Sequence, residues 1–80
     1  QGLPMYYIEY LHGEMLLQKG RYTDAIAAYQ HFIQHYRSDN FKKDAYYKIS
    51  LAYWLMNKKE LAKANFEKAK LTGRNVAEPD

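Results

Sequence analysis

Apolar residues recur at helical spacing over the first quarter of the chain. Between residues 4 and 19 they follow the period of a helix and not the alternation of a strand, at Ile8, Leu11, Met15 and Leu16. Pro4 suits a first helical turn, where the N–H that proline lacks has no partner, and Gly20 suits the left-handed residue just past a helix end. We therefore predict a first helix over about residues 4–19.

A second amphipathic stripe starts directly after Gly20. It predicts a helix over about residues 22–36 and consists of Tyr22, Ala25, Ile26, Tyr29, Phe32, Ile33 and Tyr36. Polar residues such as Asp24 and Gln30 fall off the stripe, as expected for a helix with one buried face. Gly20 and Arg21 would then form a tight turn between two antiparallel helices.

The stretch 38–40 separates this helix pair from a second one. Its short polar side chains, Ser-Asp-Asn, compete for helical backbone hydrogen bonds and cap the helix that follows. The third predicted helix, about 41–56, is apolar on two sides. One side carries Ala45, Tyr46, Ile49, Ala52 and Tyr53, and the other carries Tyr47, Leu51, Trp54 and Leu55. A helix of this kind is expected to lie between two layers.

The fourth predicted helix covers about residues 59–71, after a short turn at Asn57 and Lys58. Its apolar positions are Leu61, Ala62, Phe66 and Ala69, and Gly73 is expected to end it. Residues 74–80 show no core-forming pattern, so they are predicted to be a tail or the start of a further element of a longer chain.

The two helix pairs repeat with an offset of 37 residues. This offset places Gly13 on Ser50 and Gly20 on Asn57, and it aligns Ala25, Tyr29 and Phe32 with Ala62, Phe66 and Ala69. Small residues suit close helix crossings, and aromatic residues fill the space beneath the next helix. The sequence thus predicts an all-α protein of two stacked antiparallel hairpins, 4–37 and 41–72, forming one domain within residues 1–80.

Composition limits what else the chain can be. Eighty residues suit a single small domain with a modest core, and the absence of cysteine excludes disulfides and cysteine-ligated metal sites. The first residues carry neither a basic leader nor a long apolar run, so we expect no signal peptide and no membrane span there. Nine Tyr, three Phe and one Trp favour large aromatic contacts in a core or an interface.

The net charge of +3 comes from basic residues scattered among acidic and apolar ones. The sequence is locally basic over residues 37–43 and 58–70, and a cluster for binding nucleic acid would consist of Arg37, Lys42, Lys43 and Lys48. Scattered charge is typical of a solvated helix surface, so nucleic-acid binding is not expected.

The pattern that repeats after 37 residues resembles the tetratricopeptide repeat family, over roughly residues 4–72. The first copy matches at Gly13, Gly20, Tyr22, Ala25, Tyr29 and Phe32, and the second at Ser50, Tyr53, Ala62, Phe66 and Ala69. Phe32 stands where the family usually has Ala, and Asn57 and Lys59 replace the turn Gly and an aromatic. The resemblance implies that the hairpins are part of an α–α superhelix that holds another polypeptide.

Stretches 32–36 and 43–48 look like the variety of this repeat found in bacterial cell-envelope proteins, such as outer-membrane assembly lipoproteins and Tol–Pal-associated proteins. Arg37 departs from that variety, which normally has Pro after the equivalent of Tyr36. The resemblance implies a location in the periplasm or at the periplasmic face of the outer membrane.

The family resemblance also implies a binding site, because the first helix of each repeat lines a concave groove. The predicted partner-binding residues are Tyr7, Tyr10, Glu14, Leu17, Asp44, Tyr47, Leu51, Trp54 and Leu55. An apolar, tyrosine-rich groove would bind an amphipathic helix or an extended apolar segment of a protein or peptide. The alternative is that this face packs against a further repeat, a capping helix or a second subunit. The chain would then be a structural repeat pair that mediates self-association or packing within a larger multidomain protein.

No catalytic motif is present in the sequence. His31 and His35 are one helical turn apart and have the spacing of two metal ligands, but no third ligand is close in sequence, so we predict surface histidines. His12 occupies a core aliphatic position of the family and is predicted to be partly buried and hydrogen-bonded. Neither a phosphate-binding loop nor a nucleophile signature is present, so we expect no enzymatic activity, no cofactor and no metal.

Overall fold

A computed structural model describes residues 4–36 and 40–73 of the chain. Four helices follow one another: α1 (Met5–Gln18), α2 (Tyr22–His35), α3 (Asn40–Leu55) and α4 (Lys59–Leu71). Helix α1 packs antiparallel on α2, α3 packs on α4, and the α2–α3 contact joins the two hairpins. The described part of the chain has no strand, so the predicted all-α fold of two hairpins is confirmed.

The helix ends lie within one residue of the predicted ones. Pro4 immediately precedes α1 instead of forming its first turn, and its carbonyl oxygen accepts hydrogen bonds from the backbone N–H groups of Tyr7 and Ile8 at 3.0 and 3.2 Å. Asn40, predicted as part of the break, is the first residue of α3. The rest of the predicted break, at 37–39, and the predicted tail, at 74–80, lie outside the described residues.

The two hairpin turns have the same backbone geometry, 37 residues apart. Gly20 has a φ of 77° and Asn57 a φ of 63°, so each helix pair is linked through one left-handed residue. The N–H of Arg21 bonds the carbonyl oxygen of Leu16 at 2.9 Å, and the N–H of Lys58 bonds that of Tyr53 at 2.8 Å. The repeat predicted from side chains is therefore also a repeat of backbone hydrogen bonds.

The core lies between α2 and its neighbours on both sides. The members of this core cluster with no exposed surface are Ala25, Tyr29, Phe32, Ala45, Ile49 and Ala52. All six belong to the apolar stripes predicted for α2 and for the first side of α3. Alanines on α3 allow that helix to approach α2 closely, and the α2 aromatics fill the space beneath it.

The apolar stripe that predicted α1 lies mostly outside the core, and of its four residues Leu16 packs against the core. Ile8, Leu11 and Met15 are 46%, 40% and 50% exposed, whereas α1 buries Tyr10 and Gly13. His12, predicted to be partly buried, is exposed. Its equivalent at the 37-residue offset, Ile49, is fully buried against the preceding hairpin, and no described residue covers the same face of α1.

Helix α4 also departs from the prediction. Ala62 and Ala69 are buried as expected, but Leu61 and Phe66 are 47% and 44% exposed. The buried polar residue is Asn65, whose side-chain amide donates to the carbonyl oxygen of Leu61 at 2.9 Å. No described helix packs on the outer side of α4, so only its face toward α3 is covered.

Candidate functional site

The predicted site residues of the first hairpin are engaged inside the chain. Tyr10 is 8% exposed, and its hydroxyl donates to the carboxylate of Asp44 on α3. Glu14 accepts two hydrogen bonds from Lys48 Nζ, at 2.9 and 2.6 Å. These contacts lie across the α1–α3 boundary, so they hold the second hairpin on the first.

Two tyrosines at this boundary are protected from ionisation. Burial raises the pKa of Tyr10 above its usual range, and hydrogen bonding to the Asp44 and Glu14 carboxylates raises it further. Burial also raises the pKa of Tyr29, and the nearby negative charge of Glu14 adds to the effect. Both phenols therefore stay neutral. Tyr10 donates a hydrogen bond, whereas the buried hydroxyl of Tyr29 has no hydrogen-bond partner among the described residues, so Tyr29 serves as a packing group.

The other two predicted site residues of this hairpin, Tyr7 and Leu17, are partly buried and pack against the core. The Tyr7 ring lies 5.7 Å from that of Phe41 on α3. In the first hairpin, the surface predicted to receive a ligand is thus largely occupied by α3 of the same chain.

The predicted site residues of the second hairpin lie around an open pocket. Tyr47, Leu51 and Trp54 line a pocket of about 660 Å³ between α3 and α4. Leu51 is 44% exposed and Trp54 is 57% exposed, although both are large apolar side chains. The fourth predicted residue on this part of α3, Leu55, is half exposed and lies outside the pocket lining.

Helix α4 supplies residues to this pocket that are not among the predicted site residues. Phe66 lies 5.4 Å from the Tyr47 ring, and Lys59, Glu60 and Lys63 complete the rim. The helical spacing of Phe66 predicts a core residue, whereas the structure leaves it 44% exposed. The signal that could have identified it is the 37-residue offset, which pairs Tyr47 and Phe66 as it pairs Tyr10 and Tyr29.

A lysine lies near each of the three aromatic rings of the pocket floor, although only one of these lysines, Lys59, lines the pocket itself. The Nζ atom of Lys59 lies 5.7 Å from the centre of the Trp54 ring, that of Lys43 lies 5.7 Å from Tyr47, and that of Lys70 lies 5.5 Å from Phe66. Lysines above aromatic faces gain cation–π energy and keep their charge near solvent. The site thus combines an apolar floor with a positively charged rim.

Sequence comparison identifies both hairpins as repeats of one kind. Residues 7–38 and residues 43–70 each match a family model described as tetratricopeptide repeat. The chain belongs to the tetratricopeptide repeat family. Tetratricopeptide repeats generally mediate protein–protein interaction, so the family supports a protein partner. Comparison with curated proteins and with solved structures gives no significant match.

Two further features of this tetratricopeptide repeat pair concern nucleic-acid binding and membrane insertion. In the predicted basic cluster, Lys48 pairs with Glu14 and Lys43 donates to the carbonyl oxygen of Ala69 at 2.8 Å, while Arg37 lies outside the described residues. Two of these cations are therefore already bound within the chain. No helix in the described part of the chain is long and apolar enough to span a membrane.

Proposed function

We propose that the chain is a protein-binding scaffold whose pocket between α3 and α4 receives a helix of another polypeptide. The observation that carries this proposal is the open pocket with an aromatic floor of Tyr47, Trp54 and Phe66, in which Trp54 and Phe66 are exposed and Tyr47 is partly buried. The equivalent surface of the first hairpin, around Tyr10 and Tyr29, is covered by α3. The pocket between α3 and α4 has the equivalent residues and is open, so it has the shape to accept a helix in the orientation that α3 has on the first hairpin.

The lysine rim indicates the chemistry of that helix. Lys59 and Lys63 line the pocket, and Glu60 is the only acidic residue among its lining residues. A partner helix would place apolar side chains on the aromatic floor and carboxylates beside the lysines, which favours association and orients the partner. The proposed partner is therefore an amphipathic helix with an acidic flank.

Trp54 provides a direct test, because it is the only tryptophan in the chain and more than half of it is exposed. A phage-displayed library of amphipathic helical peptides is selected on the parent chain, with the Tyr47→Ala, Trp54→Ala double variant as counter-target. Selected peptides are then synthesised and titrated against the parent. We expect enrichment of acidic, apolar helices, and a blue shift of Trp54 emission as the indole leaves water.

The matched control is Leu55→Ala, which removes a half-exposed apolar side chain next to Trp54 but outside the pocket lining. It should bind the selected peptides like the parent, whereas Phe66→Ala should weaken them about tenfold or more. Circular dichroism verifies that each variant is folded. Equal binding to the parent and to the double variant would contradict the pocket, as would unfolding of Trp54→Ala, since that residue would then be part of the core.

A second candidate function is head-to-tail self-association, and one observation favours it. Within the chain, Glu14 of the first hairpin forms an ion pair with Lys48 of the second. At the 37-residue offset, Leu51 is the equivalent of Glu14 and Leu11 is the equivalent of Lys48. If a second copy docked its first hairpin on the second hairpin of this chain, two leucines would therefore meet where the ion pair lies within the chain. Leu11 and Leu51 are 40% and 44% exposed. A second copy that docks its α1 as α3 docks in this chain would bury both leucines and continue the stack as a superhelix.

Sedimentation velocity of two blocked variants tests this assembly. Leu11→Glu blocks the α1 face and Leu51→Glu blocks the pocket, so each alone should be a monomer and an equimolar mixture should form a dimer. Leu61→Glu, on the exposed side of α4, is the control and should assemble like the parent. A symmetric dimer uses the same face of both copies, so the variant blocked on the other face would still dimerise. A parent that stays monomeric at high concentration would exclude self-association but would leave peptide binding possible.

The location in a bacterial cell envelope, which the resemblance of stretches 32–36 and 43–48 implies, is a proposal of the same kind. It predicts that an affinity-tagged chain expressed with its native flanking sequence is recovered in the periplasmic or outer-membrane fraction of its source cell. Recovery with the cytoplasmic fraction would contradict it.

A further inference from the structure

A cluster of three potential metal ligands lies at the boundary of α1 and α2, away from the pocket. His31 and His35 are one turn apart on α2, and Glu9 on α1 faces them. One ligand atom from each side chain lies within 4.8 Å of the others. The sequence near the two histidines supplies no third ligand. In the fold, Glu9 of the neighbouring helix takes that position.

The hydrogen bonds of the cluster prepare His35 to bind a metal. His35 Nδ1 lies 2.9 Å from the carbonyl oxygen of His31. A carbonyl oxygen only accepts, so Nδ1 carries the proton and donates it, which leaves Nε2 with a lone pair. Histidine ligands in metal sites are commonly oriented by such a donation from the second ring nitrogen.

Glu9 provides an independent observation. Its Oε2 lies 2.9 Å from His31 Nδ1, but its Oε1 is buried and has no hydrogen-bond partner in the part of the chain that the structure describes. A buried carboxylate oxygen without a partner is unfavourable, because it has lost its hydration. A cation between Glu9 and the two histidines would compensate that loss.

The surroundings leave access to the cluster. The side chains of His31 and Glu9 are 57% and 24% exposed, and the pocket of about 320 Å³ beside them is lined by Met5, Tyr6, Glu9, His31 and His35. Ligands of a tetrahedral zinc ion lie about 2.0–2.2 Å from it, so side-chain shifts of roughly 1 Å would close the site.

We propose that Glu9, His31 and His35 bind one divalent transition-metal ion of the zinc type. Two imidazoles and one carboxylate are a ligand set that suits Zn²⁺, and the solvent-facing side of the cluster leaves a coordination position for water or for a side chain of a partner. Because its ligands come from both helices, the bound ion links α1 to α2 in the first hairpin.

Isothermal titration with zinc chloride tests the site on the untagged chain in buffer free of chelators. The parent should bind one ion per chain, and Glu9→Gln, His31→Ala and His35→Ala should each weaken binding about tenfold or more. His12→Ala removes an exposed histidine of α1 outside the cluster and should bind zinc like the parent. Circular dichroism verifies that the variants are folded.

Two further measurements distinguish this site from loose association of zinc with surface histidines. Cobalt(II) should give the visible absorption of a tetrahedral complex, and zinc should raise the melting temperature of the parent more than that of Glu9→Gln at the same zinc concentration, because only the folded chain brings the helices together. Absence of binding, equal binding by the parent and Glu9→Gln, or an equal loss in His12→Ala would overturn the proposal.

Discussion

Gly13 determines how closely α1 approaches α2. A Cβ atom at this position would lie 2.9 Å from the nearest atom of the Tyr29 ring. That ring is fully buried and also packs edge-on against Tyr10 of α1, so it has little room to move. We expect Gly13→Ala to lower the free energy of unfolding by about 1–3 kcal/mol through overpacking, despite the higher helix propensity of alanine. Urea unfolding followed by circular dichroism measures the change.

The equivalent residue of the second hairpin serves as the control. Ser50 has a side chain there, and its Oγ donates to the carbonyl oxygen of Ala62 at 2.7 Å. The residue that corresponds to Tyr29 is Phe66, which is 44% exposed and has space to turn away. Ser50→Ala should therefore cost only about 1 kcal/mol, the value of one hydrogen bond. A Gly13→Ala variant as stable as the parent would show that Tyr29 is not confined.

The helices themselves could be predicted from sequence, but only some of their buried faces could. The α2 stripe was predicted correctly because apolar residues occupy one side of that helix and polar residues the other. Helix α1 is apolar on several sides, so its pattern did not distinguish the buried Tyr10 and Gly13 from the exposed Ile8 and Leu11. The choice of face depends on where α2 and α3 lie, which is a property of the tertiary fold.

The same limit applies to the candidate sites. Tyr47, Leu51 and Trp54 could be nominated because they share one helix face, whereas Phe66 joins them only through the packing of α4 on α3. Glu9 meets His31 only once α1 lies against α2. Residues that share a helix follow from spacing, and residues that meet between helices require the fold.

The contact between α1 and α3 should be measurable as a coupling between two side chains. Glu14 and Lys48 form an ion pair of which each side chain is about one quarter exposed. A double-mutant cycle with Glu14→Gln and Lys48→Met should give a coupling energy of about 0.5–1 kcal/mol that decreases at about 0.5 M salt. Strictly additive effects would show that the pair does not help to hold the hairpins together.

At the scale of the whole molecule, the stability of the stacked hairpins should depend on pH through Tyr10 and Tyr29. Their pKa values are raised in the folded chain, chiefly by burial, whereas in the unfolded chain they ionise near pH 10. Below pH 10 both the folded and the unfolded chain keep these protons, so the two tyrosines make the free energy of unfolding neither rise nor fall with pH. Above pH 10 the unfolded chain releases protons that the folded chain retains, and the free energy of unfolding falls.

Each of these tyrosines should contribute up to about 1.4 kcal/mol of lost stability per pH unit above pH 10. Urea unfolding between about pH 9 and pH 11.5 measures the slope, and the Tyr10→Phe, Tyr29→Phe double variant, which cannot ionise at these positions, provides the comparison. Its slope should be smaller than that of the parent by the sum of the two contributions. Identical slopes would mean that the tyrosines ionise as readily in the folded chain as in the unfolded one, and hence that α3 does not seal the surface of the first hairpin.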